Sequence, residues 1–272
     1  MQIRIVTKTA NTILTPTGGF LAGYTHSLNP YAGCAYACSY CYVRQLPIAL
    51  FHGQEWGTWV DIKQNAAQLL EKELKKAKRK GPVKIFMSSS TDPYQPIEHK
   101  ARVTRSLLEV MAAEPPDLLF VQTRSPLVVR DIDLFRQMRD RIMVSVTVET
   151  DLEPVRQAFT PQAPGIRARL TALRKLKQAG IPSQVAVAPV LPCSPAFAKR
   201  LREVTDRVCL DDFYMGDGSG GKRTEKLNTR RIYHGIGLQA WYEKDAWRQV
   251  LGWLQQEFAS EQIRISQAGF LP

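Results

Sequence analysis

Hydrophobic and polar positions alternate along this chain in two different periods. Short apolar runs at 24–28, 83–87, 118–122, 142–148, 184–188 and 207–213 have the length and β-branched content of strands. Between them, apolar residues recur every three or four positions over 61–79, 100–113, 131–139, 166–179 and 195–206, the spacing of helices with one buried face. Two helix ends are legible: Gly180 followed by Pro182 marks a stop, and Asp131 is a plausible N-cap. Strand alternating with helix is the pattern of parallel βα units. Six strands with five intervening helices predict an α/β fold, a partial (β/α)6 barrel of the TIM type. A segment at 1–23 precedes this core at 24–215, and an extension at 216–272 follows it. The extension opens with a Gly-rich, basic loop over 216–231 and continues as a Trp-rich helical stretch over 237–258.

Composition narrows the class. A chain of 272 residues with 44% hydrophobic content can bury a sizeable core. Lys and Arg number 37 against 25 Asp and Glu, a net charge of +12 that favours polyanionic partners, nucleic acid among them. Part of the excess lies in 71–80, where cations suit the exposed end of a helix. No apolar run approaches the roughly 20 residues of a spanning helix, and the first ten residues lack a signal-type apolar stretch. These features predict a cytoplasmic protein with no membrane partner.

Three of the five cysteines crowd into eight positions, in the string NPYAGCAYACSYCY from Asn29 to Tyr42. Cys193 and Cys209 stand alone, so thiolate chemistry is a better reading than a disulfide framework. The loop follows the first predicted strand, on the face where βα barrels carry their function. Cys34, Cys38 and Cys41, spaced C-x3-C-x2-C, present three thiolates to a cuboidal cluster and leave one iron open, whereas clusters that only carry electrons take four cysteines. Zinc with His26 or His52 as a fourth ligand, or three unligated structural cysteines, remain alternatives.

The cysteine string, with Tyr40 directly before the last cysteine, resembles the signature of the radical S-adenosylmethionine superfamily. The resemblance implies a 4Fe-4S cluster on Cys34, Cys38 and Cys41, with S-adenosylmethionine chelating the open iron and Tyr40 lying against its adenine. It also implies a low-potential electron donor of the flavodoxin or ferredoxin type, reductive cleavage of the cofactor and hydrogen abstraction from a substrate. After the second strand the superfamily carries an element that accepts hydrogen bonds from the cofactor's ammonium group. Ser89, Ser90, Thr91 and Asp92 stand there, although Asp92-Pro93 also reads as a simple turn.

Later strand ends add further candidates. Arg124 is placed either to pair with the cofactor's carboxylate or to make a surface ion pair. Thr147 and Glu149 share one face of the fourth strand and suit ribose hydroxyls if that face is the lumen. Asn29-Pro-Tyr-x-Gly-Cys together with SSTDPYQP resembles the spore photoproduct lyase-like group, often labelled DNA repair photolyases. In true spore photoproduct lyases a cysteine near the position of Ser90 returns a hydrogen atom, and a serine O–H bond is too strong for that step. Cys193, after the fifth strand, and Tyr94 are the substitutes weighed as catalytic residues, against plain burial and aromatic packing. Lys222, Arg223, Lys226, Arg230 and Arg231, followed by Trp241 and Trp247, read either as a nucleic-acid grip or as a basic loop leading into a helical cap.

Overall fold

The structure is a computed structural model and describes residues 3–272. Its strands are β1 (Arg4–Lys8), β2 (Leu14–Pro16), β3 (His26–Leu28), β4 (Tyr31–Ala32), β5 (Trp59–Lys63), β6 (Lys84–Met87), β7 (Leu118–Thr123), β8 (Ile142–Thr147), β9 (Ser183–Val187), β10 (Val208–Leu210) and β11 (Ile263–Ile265). The six strands expected from the sequence, β3 and β6 to β10, lie side by side and parallel, in the order β3-β6-β7-β8-β9-β10. This is the partial barrel the alternation predicts. β2 adds an antiparallel edge to β3 and β11 a parallel one to β10, so the first and last segments of the chain each give the same sheet a strand.

Period-2 patterning assigns the two faces of the sheet. On β8, Val144 and Val146 join the large core between sheet and helices, while Ser145 and Thr147 point the other way. The inner face is apolar at its base, where Tyr24, Phe86, Phe120, Ala186, Cys209 and Phe270 pack together. Helix Ile166–Gln178 buries Ile166, Arg169, Ala172, Leu173 and Leu176 against the sheet, a helical stripe that includes one cation. Trp241, Trp247 and Leu251 pack on the main core, and helix Ala246–Glu257 lies against helix Phe197–Arg202. The five cations from Lys222 to Arg231 have no carboxylate within 4.0 Å among the described residues.

Two expected elements are corrected, and one of them is the strand expected over 207–213, which ends at Leu210 as β10. The helix expected over 61–79 begins at Ala66, and the residues before it form β5. β5 pairs with β1 and β4 in a separate small sheet, where Asp61 is held by Lys8 at 2.6 Å. No helix among the described residues is long and apolar enough to cross a membrane.

Candidate active site

The C-terminal ends of the parallel strands open into a cavity of about 300 Å³. Cys34, Cys38 and Cys41 line it from the loop after β4, Ser88 to Asp92 from the loop after β6, and Thr123 and Arg124 from the end of β7. Thr147 closes β8, Pro189 follows β9, and Asp211 follows β10 on the far wall.

Local chemistry fixes the cysteine loop. Gly33 turns at φ +80°, and a β-carbon there would lie 2.4 Å from the Trp59 carbonyl oxygen, so the close approach to β5 requires glycine. The fully buried Gln95 serves as a surrogate peptide group: its Oε1 accepts from the Ala35 N–H (2.9 Å), and its Nε2 donates to the Gly33 carbonyl (3.3 Å) and to Thr91 Oγ1 (3.1 Å). Arg44 donates to the carbonyls of Ala37 (2.8 Å) and Cys38 (3.1 Å). Asn29 ties the end of β3 to the serine loop, donating to Ser89 Oγ (3.3 Å) and accepting from the Ser90 N–H (3.0 Å).

A charged chain runs behind the thiols. Arg124 Nη1 lies 2.8 Å from Cys38 Sγ, 3.0 Å from the Tyr40 hydroxyl and 2.9 Å from Glu149 Oε1. The other Glu149 oxygen accepts from Arg169 Nη1 at 2.6 Å, and the Tyr40 hydroxyl donates to Oε1. Burial alone would raise the Glu149 carboxyl, but Arg169 and Arg124, with the Tyr40 hydroxyl, hold it down at about 2. Burial pushes all three thiols up, Cys38 to about 11. Asp92 is raised by burial as well, although it accepts from the Thr123 hydroxyl (2.7 Å) and from the N–H groups of Tyr94 (2.9 Å) and Arg124 (2.9 Å).

The cavity thus gathers Cys34, Cys38, Cys41, Tyr40, Ser89, Ser90, Thr91, Asp92, Arg124 and Thr147. Glu149 does not line the cavity: it is 2% exposed and accepts from Arg124, Tyr40 and Arg169, contrary to the lumen-facing ribose contact the strand pattern suggested. Cys193 and Tyr94 do not line the cavity. Cys193 is buried in the main core, and the Tyr94 ring packs there beneath Arg130, 5.8 Å from its centroid. Their strand-end positions placed them near the mouth, but apolar contacts take both side chains into the interior. Arg169, Gln95 and Asp211 were not singled out from sequence.

The donor set fits an iron–sulfur cluster better than a single ion. The three thiols are free and share one cavity. Among the described residues no three His, Cys, Asp or Glu side chains converge as a mononuclear ion requires, whereas a cuboidal cluster takes each thiolate on a different iron. The histidines weighed as zinc ligands are elsewhere: His52 stacks on Trp59 at 3.4 Å and His26 bonds Thr25 at 2.8 Å.

Known proteins resemble this chain in sequence or in fold. An uncharacterised protein of Methanocaldococcus jannaschii is 32% identical over 191 residues, covering 70% of this chain and 69% of the relative. An uncharacterised protein of Acidianus two-tailed virus is 33% identical over 174 residues, covering 61% of this chain but only 56% of the relative. A spore photoproduct lyase double mutant with bound S-adenosylmethionine and dinucleoside spore photoproduct superposes with a TM-score of 0.63 at 14% identity, over 96% of this chain and 81% of that one, a likeness of fold. The family model of the Radical SAM superfamily matches residues 28–192, more than half of the sequence and the whole stretch from the end of β3 past β9: the chain belongs to this superfamily and is an enzyme.

Proposed function

We propose that the protein binds a 4Fe-4S cluster through Cys34, Cys38 and Cys41, cleaves S-adenosylmethionine reductively and abstracts hydrogen from a substrate held in the same cavity. Membership in the superfamily implies an iron–sulfur cluster, S-adenosylmethionine and a reductant. The observation that carries the reading is that three free thiols of one loop open into the cavity at the strand ends, beside the serine loop and Arg124. When bound, the cluster supplies one electron that splits the sulfonium into methionine and a 5′-deoxyadenosyl radical.

The remaining work belongs to the chain. The thiols must lose their protons to ligate, and since burial opposes this, the positive charge of the irons and the Arg124 guanidinium offset it. Tyr40 offers a flat ring to the adenine. Thr147 offers a hydroxyl to the ribose, with its Oγ1 held by Gln122 Nε2 at 2.7 Å. In the serine loop Asp92 already accepts three hydrogen bonds and Thr91 donates to the Gly33 carbonyl, whereas Ser90 commits its backbone N–H and leaves its hydroxyl for the cofactor's ammonium. Phe20, Leu21, Phe86 and Phe270 add apolar surface to the cavity, which limits water and competing hydrogen donors near a radical.

The test is spectroscopic. Anaerobically reconstituted, reduced protein is expected to show the electron paramagnetic resonance signal of a 4Fe-4S cluster, and S-adenosylmethionine is expected to shift it. A cluster signal indifferent to S-adenosylmethionine, or none at all, contradicts the proposal.

A further inference from the structure

Three carboxylates line the cavity from the segment that follows β10: Asp211, Asp212 and Asp217. Asp217 is spent locally, accepting from the N–H groups of Ser219, Gly221, Arg223 and Thr224 at 2.7–3.2 Å. Asp212 caps the turn that follows it through Oδ1 alone, which accepts from the N–H groups of Tyr214 (2.8 Å) and Met215 (2.7 Å). Asp211 caps no turn. It is 5% exposed, has no cation within 4.0 Å among the described residues, and takes only the Asp212 N–H (3.0 Å) and a bond from the Ser266 side chain. A carboxylate has about four acceptor positions, so about two of them remain open.

Its placement is built. A β-carbon on Gly216 would lie 2.0 Å from Asp211 Oδ2, so the chain passes flat against this carboxylate only because residue 216 is glycine. Ser266, which supplies the second donor, holds a left-handed φ of 50°. Phe20, Leu21, Phe86, Pro189 and Phe270 line the same cavity. Burial, reinforced by the neighbouring charges of Asp212 and Asp217, raises the carboxyl to about 7. A half-satisfied acceptor held in such surroundings costs folding stability unless a ligand supplies the missing donors.

We propose that Asp211 is a specificity-determining residue for the substrate, accepting a hydrogen bond from an ammonium or comparable N–H group carried on an apolar, ring-sized body. This rests on the radical reading of the cavity, because it assigns the cysteine side to the cofactor and the Asp211 side to the substrate.

The test uses reconstituted full-length protein and two probes with one ring and opposite charge, tryptamine and indole-3-acetate. Calorimetry on wild type, Asp211→Asn and Gly216→Ala follows probe binding, with S-adenosylmethionine affinity and 5′-deoxyadenosine yield measured beside it. Tryptamine is expected to bind wild type about tenfold more tightly than indole-3-acetate, the size of one charge-assisted hydrogen bond. Its affinity should rise between pH 6 and 8 as Asp211 ionises, since the amine stays protonated throughout. Of the neighbouring groups, burial raises the Asp212 carboxyl as well, Asp217 is held down by backbone donors, and Arg223 donates to the Asp217 carbonyl (2.8 Å), so it is the Asp211→Asn variant that assigns the pH dependence. Asp211→Asn is expected to abolish both the preference and the pH dependence, and Gly216→Ala to weaken both, with S-adenosylmethionine affinity unchanged. Failure of tryptamine to bind at millimolar concentration, an equal affinity for the two probes, or a preference that survives Asp211→Asn overturns the proposal. So does a loss confined to S-adenosylmethionine affinity, which would give the acceptor to the cofactor. Wild type that shows the Asp211-dependent preference but neither binds nor cleaves S-adenosylmethionine keeps the carboxylate's role and removes the radical reading instead.

Discussion

Glu149→Gln removes one charge from the chain of ions behind the cysteine loop while keeping the side chain's shape. Glu149 is 2% exposed and is the shared counter-ion of Arg124 at 2.9 Å and Arg169 at 2.6 Å, the latter side chain fully buried. A carboxyl held from 4.5 down to about 2 corresponds to about 3 kcal/mol of favourable interaction. Breaking a buried pair by removing one partner costs about 3–5 kcal/mol, since the cation left behind stays desolvated. Two independent routes thus give about 3 kcal/mol or more. Urea denaturation of the metal-free protein at pH 7 measures it directly. The sign of the pH dependence follows from the depressed carboxyl: its contribution is complete above about pH 4.5 and is lost as pH falls towards 2, so wild type and variant should converge there. Arg169→Gln added to Glu149→Gln should recover part of the loss, as coupled partners do. A single-variant loss below about 1 kcal/mol, or a gap that persists unchanged at low pH, would refute the reasoning.

Three further outcomes follow from the same structure. Gln95→Leu strips the Ala35 N–H of its buried acceptor and should cost about 1–3 kcal/mol, with iron content after reconstitution falling below one cluster per chain; unchanged iron loading counts against Gln95 as the clamp of the loop. Asp211→Asn should stabilise the metal-free protein by roughly 3–4 kcal/mol at pH 8 and by little at pH 4, because a raised carboxyl lowers stability as pH climbs from its unfolded value to about 7. A flat difference between the two pH values rules this out. Cys193→Ser, altering a thiol outside the cavity, should leave 5′-deoxyadenosine formation within twofold of wild type, and a tenfold loss would return Cys193 to the site.

The main strands were legible because each is a compact apolar run flanked by helical spacing, and burial on both faces of a parallel sheet demands such runs. β1 and β5 were not. β1 has no buried residue among its five, and β5 carries Asp61, whose charge reads as a helix start until Lys8 is seen beside it. The cysteine loop stood out because its three thiols are close in sequence, and the resemblance to the superfamily is what turned that spacing into a cluster reading. What holds that loop was hidden, because Gln95 and Arg169 act across about 60 and 20 residues of chain, and nothing in their neighbourhoods separates a buried amide or guanidinium from a surface one. Asp211 escaped notice for a related reason. It falls inside an expected strand at 207–213, whereas β10 stops at Leu210 and releases the carboxylate into the cavity.

Formation of 5′-deoxyadenosine in this cavity should require all three cysteines as ligands of the cluster. Chromatographic assay of 5′-deoxyadenosine after anaerobic reconstitution and dithionite reduction, beside the variant Cys34→Ala/Cys38→Ala/Cys41→Ala, tests it most directly. The account predicts 5′-deoxyadenosine from wild type and none above background from the variant; equal amounts from both, or none from a wild type that holds a reduced cluster, would contradict it.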